Sequence, residues 1–196
     1  MKNKQKAQPA NESLSYSVVV RDKKGRVLQR ISAPSRSYVQ QWNQLINIQA
    51  KQTNSTLRLT DGTTFSIAKG PTNLVIEAAI GVTDYGFRVG KGFTPVAIDD
   101  FALETPLEEG VGVDEFNHQL CTLTGFPAVV GTTSSFGWRR IFVNNSGATI
   151  SGIREIGAYM RMAGKFGLAW RDVLLGAVTV PDGGSITVTY TIPVTV

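Results

Sequence analysis

The sequence predicts a mainly β protein: a β-sandwich of jelly-roll-like type, with one α-helix in its N-terminal half and an extended N-terminal arm. Three observations predict it. Short Val/Ile/Thr-rich runs recur from Arg139 to Val196, separated by turn sequences such as Asn144-Asn145-Ser146-Gly147 and Pro181-Asp182-Gly183-Gly184, a pattern that builds sandwiches and barrels. Apolar and polar residues alternate clearly between Thr53 and Lys69, as in strands with one buried face. One segment, about residues 36–50, carries apolar residues at helical spacing.

The elements follow in order. Residues 1–13 are polar and aperiodic, with lysines at positions 2, 4 and 6, and read as a flexible basic arm. Residues 14–196 read as a single β-sandwich domain. Tyr16 to Val20 forms a strand, Asp22-Lys23-Lys24-Gly25 turns the chain with glycine where positive φ is cheap, and Val27 to Ile31 returns. Pro34 breaks the strand. The helix then spans about 36–50, with Ser35 or Ser37 as its N-cap. Tyr38, Trp42, Leu45 and Ile46 fall at i, i+4, i+7 and i+8 and make its apolar face. Its polar part is rich in amides (Gln40, Gln41, Asn43, Gln44, Asn47), which suits either a flat contact with another protein or a solvated helix lying on the sheet.

Thr56–Leu59 and Thr63–Ile67 form a second hairpin around Thr60-Asp61-Gly62, and Tyr85–Gly90 is a further strand. Thr94–Gly110 reads as a loop, interrupted by Pro95 and Pro106 and acidic at Asp99, Asp100, Glu104, Glu108 and Glu109. Strands are expected within Phe116–Thr124 and Ala128–Thr133, from Arg139 into the Asn-Asn-Ser-Gly turn, over Ile153–Met162 and over Ala169–Leu174. Val178–Ile192 closes the chain as a hairpin.

Composition narrows the function. A 196-residue chain with 42% hydrophobic residues buries a core without a metal or disulfide staple. Cys121 is the single cysteine, so no internal disulfide forms, which fits assembly in a reducing cytoplasm. No apolar run reaches the ~20 residues of a membrane span, and none follows the N-terminal lysines as a secretory leader requires. The net charge of +5 sits at one end. Residues 1–36 hold nine of the 20 Lys/Arg against Glu12 and Asp22, a local charge of +7, and the remainder is −2. Such an arm meets an acidic partner surface or nucleic acid, or is simply solvated.

No constellation of reactive residues stands out, and neither a cofactor nor a metal is expected. His118 and Cys121 lie three apart, so on a strand they point to opposite faces. The reading is a histidine facing out and a buried cysteine. The acidic loop is oxygen-rich but lacks the spacing of a calcium loop, and it could instead meet the basic arm of a neighbouring copy. Gly86, Gly90 and Gly92 are followed by Phe93-Thr94-Pro95 rather than by a helix that would hold phosphate, and they read as a strand edge that lets another backbone approach. Arg139 and Arg140 alternate to opposite faces, which splits them as a nucleic-acid surface.

Five stretches recur together in one setting. The run from Tyr85 to Leu107, containing Gly90-Lys91-Gly92-Phe93-Thr94-Pro95-Val96 and Asp100-Phe101-Ala102-Leu103, resembles a stretch of bacteriophage virion structural proteins. In those proteins it is followed by segments similar to Arg140–Ala148, Ile153–Tyr159, Trp170–Leu174 and Val178–Tyr190. The resemblance covers roughly residues 80–196. It implies a non-enzymatic part of a phage particle (capsid, decoration, neck or tail) that is assembled in the host cytoplasm and sits in the virion. Partners would be copies of the chain and other virion proteins, with no membrane and with nucleic-acid contact through the arm as an open alternative. The expected contacts are Lys2, Lys4 and Lys6 of the arm, Tyr38 and Trp42 of the helix, and Thr187, Thr189 and Thr191 of a terminal edge strand. The rival readings are a carbohydrate-binding sandwich, stacking sugars on Trp138 and Trp170, and a nucleic-acid module using the basic N-terminus.

Overall fold

The computed structural model describes residues 11–35, 37–125 and 127–195. The chain is mainly β with one helix. β1 (Asn11–Glu12), β2 (Leu14–Arg21) and β3 (Val27–Ser35) precede α1 (Gln40–Lys51). β4 (Ser55–Arg58) and β5 (Thr64–Ile67) pair only with each other, and β6 (Gly86–Gly90) follows. Three short strands come next, β7 (Asn117–His118), β8 (Thr122–Leu123) and β9 (Ala128–Val130). Four long strands complete the order: β10 (Thr133–Val143), β11 (Ile150–Met162), β12 (Lys165–Val180) and β13 (Ser185–Thr195).

The large antiparallel sheet runs β3-β2-β13-β10-β7, with β1 added to β13 and both β8 and β9 added to β10. The second sheet runs β12-β11-β6. Alternation decides what each contributes. Tyr16, Val18 and Val20 of β2 and Ile186, Val188 and Tyr190 of β13 face a core shared with Phe87, Val89, Ile156, Ala158 and Trp170 of the second sheet. Trp170 is fully buried, and its ring meets Trp42 at 5.4 Å, Tyr190 at 5.5 Å, Tyr38 at 5.7 Å and Trp138 at 6.1 Å between centroids. Burying one such side chain contributes roughly 5 kcal/mol of transfer free energy.

The first hairpin forms as its sequence implies. Asp22 Oδ1 accepts from the backbone N–H of Lys24 and Arg26 at 2.9 Å each, and Gly25 takes φ 79°. Pro34 does not break β3, because β3 is an edge strand in which a missing N–H costs no ladder bond.

Several expectations are corrected. The helix begins at Gln40, and Val39 is its N-cap with no side-chain bond, since Ser35 and Ser37 are engaged elsewhere. Its buried residues are Gln41, Leu45 and Ile48, and Ile46 is 41% exposed. Tyr38 lies before the first turn, in an extended bridge to Trp170, so it does not share the helical phase. Ala169–Leu174 and Val178–Val180 belong to one 16-residue strand. Val178–Ile192 is not a hairpin, because β12 and β13 lie in different sheets. The Pro181–Gly184 turn crosses the edge of the core, and Asn144 pins it: Gly183 N–H donates to the Asn144 carbonyl at 2.8 Å, and Asn144 Nδ2 donates to Val180 O at 2.9 Å. β13 is consequently not an edge strand. It is bonded to β2 on one side and β10 on the other.

Candidate interaction site

A strap from Lys91 to Gly110 lies along the β12-β11-β6 sheet, and one buried ion-pair node holds it there. Glu155 on β11 has no exposed surface. Its Oε1 accepts from the N–H of Gly92 at 3.0 Å and Thr105 at 2.7 Å, and its Oε2 from the N–H of Glu104 at 3.0 Å. Arg171 on β12 donates Nε to Glu155 at 2.9 Å and reaches out to Asp100 at 3.0 Å and Glu104 at 3.3 Å. Glu104 Oε2 also accepts from Phe93 N–H and from the N–H and hydroxyl of Thr94, which, with the Arg171 charge, holds its carboxyl below the usual range. The guanidinium fills the centre of these three carboxylates, the place a cation would take.

The glycines of the strap and its strand do what close backbone approach requires. Gly90 forms a bridge with Pro106, and a Cβ there would sit 2.5 Å from Thr105 O. A Cβ on Gly92 would sit 2.7 Å from the Glu155 carboxyl. The expectation of a strand edge meeting another backbone is met.

A second node lies under the other end of β6. Arg140 is fully buried and donates to four backbone carbonyls, those of Gln119, Phe87, Ala79 and Val82, at 2.7–3.2 Å. Burial draws its pKa down to about 10. His118 does not face out, as expected from sequence; it is fully buried. Its Nδ1 lies 2.8 Å from Glu109 Oε2 and 3.0 Å from Phe116 O. Both are acceptors, so Nδ1 carries the proton. Burial, reinforced by Arg140 and Arg88, lowers its pKa to about 4. Cys121 is buried, as read from sequence, and burial raises its pKa. Arg139 is exposed while Arg140 is buried, the split that strand alternation predicts.

A third node joins the large sheet to β12. Asp172 is 7% exposed, and its Oδ2 accepts from Ser35 Oγ, Ser37 Oγ and Tyr190 Oη, each at 2.8 Å. No cation faces it among the described residues, and burial raises its pKa despite the three hydroxyls.

The expected contact residues fall in three places. Lys2, Lys4 and Lys6 lie outside the described residues, as does most of the 1–13 arm. Tyr38 and Trp42 are half-buried and stack on each other at 5.4 Å above Trp170, so they anchor the helix to the core. Thr187, Thr189 and Thr191 are half-buried and alternate with core residues. They point to the outer face of the large sheet, beside Ser15 and Ser17 of β2 and Ser32 of β3. The open edge of that sheet is β3, where Val27 and Leu28 are 49% and 53% exposed. Trp170 is buried, which takes it from the carbohydrate reading, while Trp138 is half-buried with its ring 6.1 Å from that of Trp170.

Glu155, Arg171 and Asp172 were not singled out from sequence. The available signal was a pair of adjacent charges within each of two apolar runs, Arg171-Asp172 in Ala169–Leu174 and Arg154-Glu155 in Ile153–Tyr159. Charges set in apolar strands are satisfied by partners when buried.

No family model, no curated protein and no solved structure matches the chain.

Proposed function

We propose that this chain is a structural component of a bacteriophage particle, a jelly-roll-like β-sandwich that assembles with copies of itself and with other virion proteins. One observation carries the reading. Three of the five stretches that resemble phage virion proteins supply the members of a single node built on the buried pair Glu155 and Arg171: Asp100 and Glu104 from the first, Glu155 from the third and Arg171 from the fourth. The likeness therefore falls on one structural unit, a strap locked to a sheet, and not on scattered residues. The charged groups of that unit are committed to one another, which makes it a rigid part. The Ser/Thr face of the large sheet and the open edge of β3 supply flat surfaces for packing against neighbours.

Sedimentation velocity of the full chain over a wide concentration range tests this. The reading expects species much larger than 21.2 kDa, and a monomer at every concentration rules it out. The nucleic-acid alternative has its own discriminator, because binding through the basic N-terminus would fall steeply as salt rises.

A further inference from the structure

Asp172 does more than join two sheets. Its side chain lines an open hollow of about 320 Å³ whose other walls include Tyr16, Ala33, Pro34, Val96 and Leu175. Three hydroxyls converge on Oδ2, while among the described residues none donates to Oδ1, and the side chain lines the hollow. Leu175 is 89% exposed and Val96 36% exposed at this site. A carboxylate more than nine-tenths buried, with no cationic partner among the described residues, is costly to hold in the charged form. The group that fits is an ammonium on an aliphatic stem: the charge meets Oδ1 and the methylenes lie against the apolar walls.

We propose that this hollow receives a lysine from the N-terminal segment, residues 1–10, of a neighbouring copy. That segment carries Lys2, Lys4 and Lys6, two apart, and no acidic residue. Its point of departure favours a neighbour. Asn11 pairs with Thr195, whereas Tyr16 beside the hollow pairs with Tyr190. The chain at Asn11 is thus about 17 Å beyond the hollow along the strand and heading away from it. Ten further residues span up to about 33 Å, enough to cross to an adjacent subunit. The inference rests on the reading of the chain as a repeating subunit.

The test is carbodiimide cross-linking of the full chain, mixed as light and 15N-labelled copies, with peptides identified by mass spectrometry. The expected product joins Asp172 to Lys2, Lys4 or Lys6 and carries both isotopes. Asp172→Asn, which keeps the shape and hydrogen bonds of the site, should abolish it and weaken association at least about tenfold. The triple variant Lys2→Gln, Lys4→Gln, Lys6→Gln should do the same without altering the core. A cross-link confined to one isotope, or undiminished association in both variants, overturns the inference while leaving the assembly reading intact. A wild-type chain that never associates overturns both.

Discussion

At the residue scale, Glu155 is the group on which the strap depends. Three backbone N–H groups and Arg171 converge on it, so Glu155→Gln leaves a buried guanidinium short of its partner. The expected loss is about 3 kcal/mol, read from urea unfolding. His118 sets a pH dependence whose sign follows from its environment. Its pKa is about 4 in the folded chain, against 6.5 for an ordinary histidine. The unfolded chain takes up a proton as pH falls below 6.5 and the folded chain does not until about 4. Stability is therefore full above 6.5 and falls by up to about 3 kcal/mol between those values. Asp172 has the opposite sign, because its raised pKa makes protonation favour the folded state as pH falls. Denaturation midpoints from pH 7 to pH 4 should show less loss in His118→Asn than in the wild type. An identical slope in both would remove His118 from the account.

At the scale of elements, the strap and the helix are the parts whose removal is most readily observed. Gly90→Val places a side chain where Thr105 O and Glu155 already lie. It should lift the strap and open residues 91–110 to proteolysis while the β2–β13–β10 ladder keeps its hydrogen-exchange protection. Trp42→Ala removes a ring that stacks on Tyr38 and meets Trp170 edge-on, at a cost of about 3 kcal/mol in thermal or chemical unfolding. These elements differ in how legible they were. The strands were readable because alternation is local: β6, β11 and β13 lie within a few residues of their expected places, while β10 begins at Thr133, six residues before the expected Arg139. The partition into sheets was not, since a four-residue turn reads the same whether it closes a hairpin or crosses between layers. That ambiguity made β13 look like an edge. The helix phase slipped for a related reason: Tyr38 sits at helical spacing from Trp42 but belongs to an extended bridge. The strap was visible as a Pro-interrupted acidic loop, while its anchors, 50 to 71 residues away along the chain, carried only the weak mark of charges inside apolar strands.

At the scale of the whole molecule, the proposed role is that of a building block. Within the resembling stretches Arg88, Arg140, Glu155, Arg171 and Asp172 turn inward to hold the sheets and strap in one arrangement, and the outward surfaces include a Ser/Thr sheet face, an open edge strand and apolar loop residues such as Phe93 and Ile98, 68% and 66% exposed. Scattered apolar residues on a surface are ordinary, but here they accompany a basic N-terminal segment and an anionic hollow whose chemistry fits it. A negative-stain electron micrograph of the purified full chain tests the central claim most directly. The account predicts repeating particles (rings, tubes or shells) that thin out when residues 1–10 are deleted, with the folded core unchanged by circular dichroism. A field of monomers only, at concentrations well above those of a cell lysate, would contradict it.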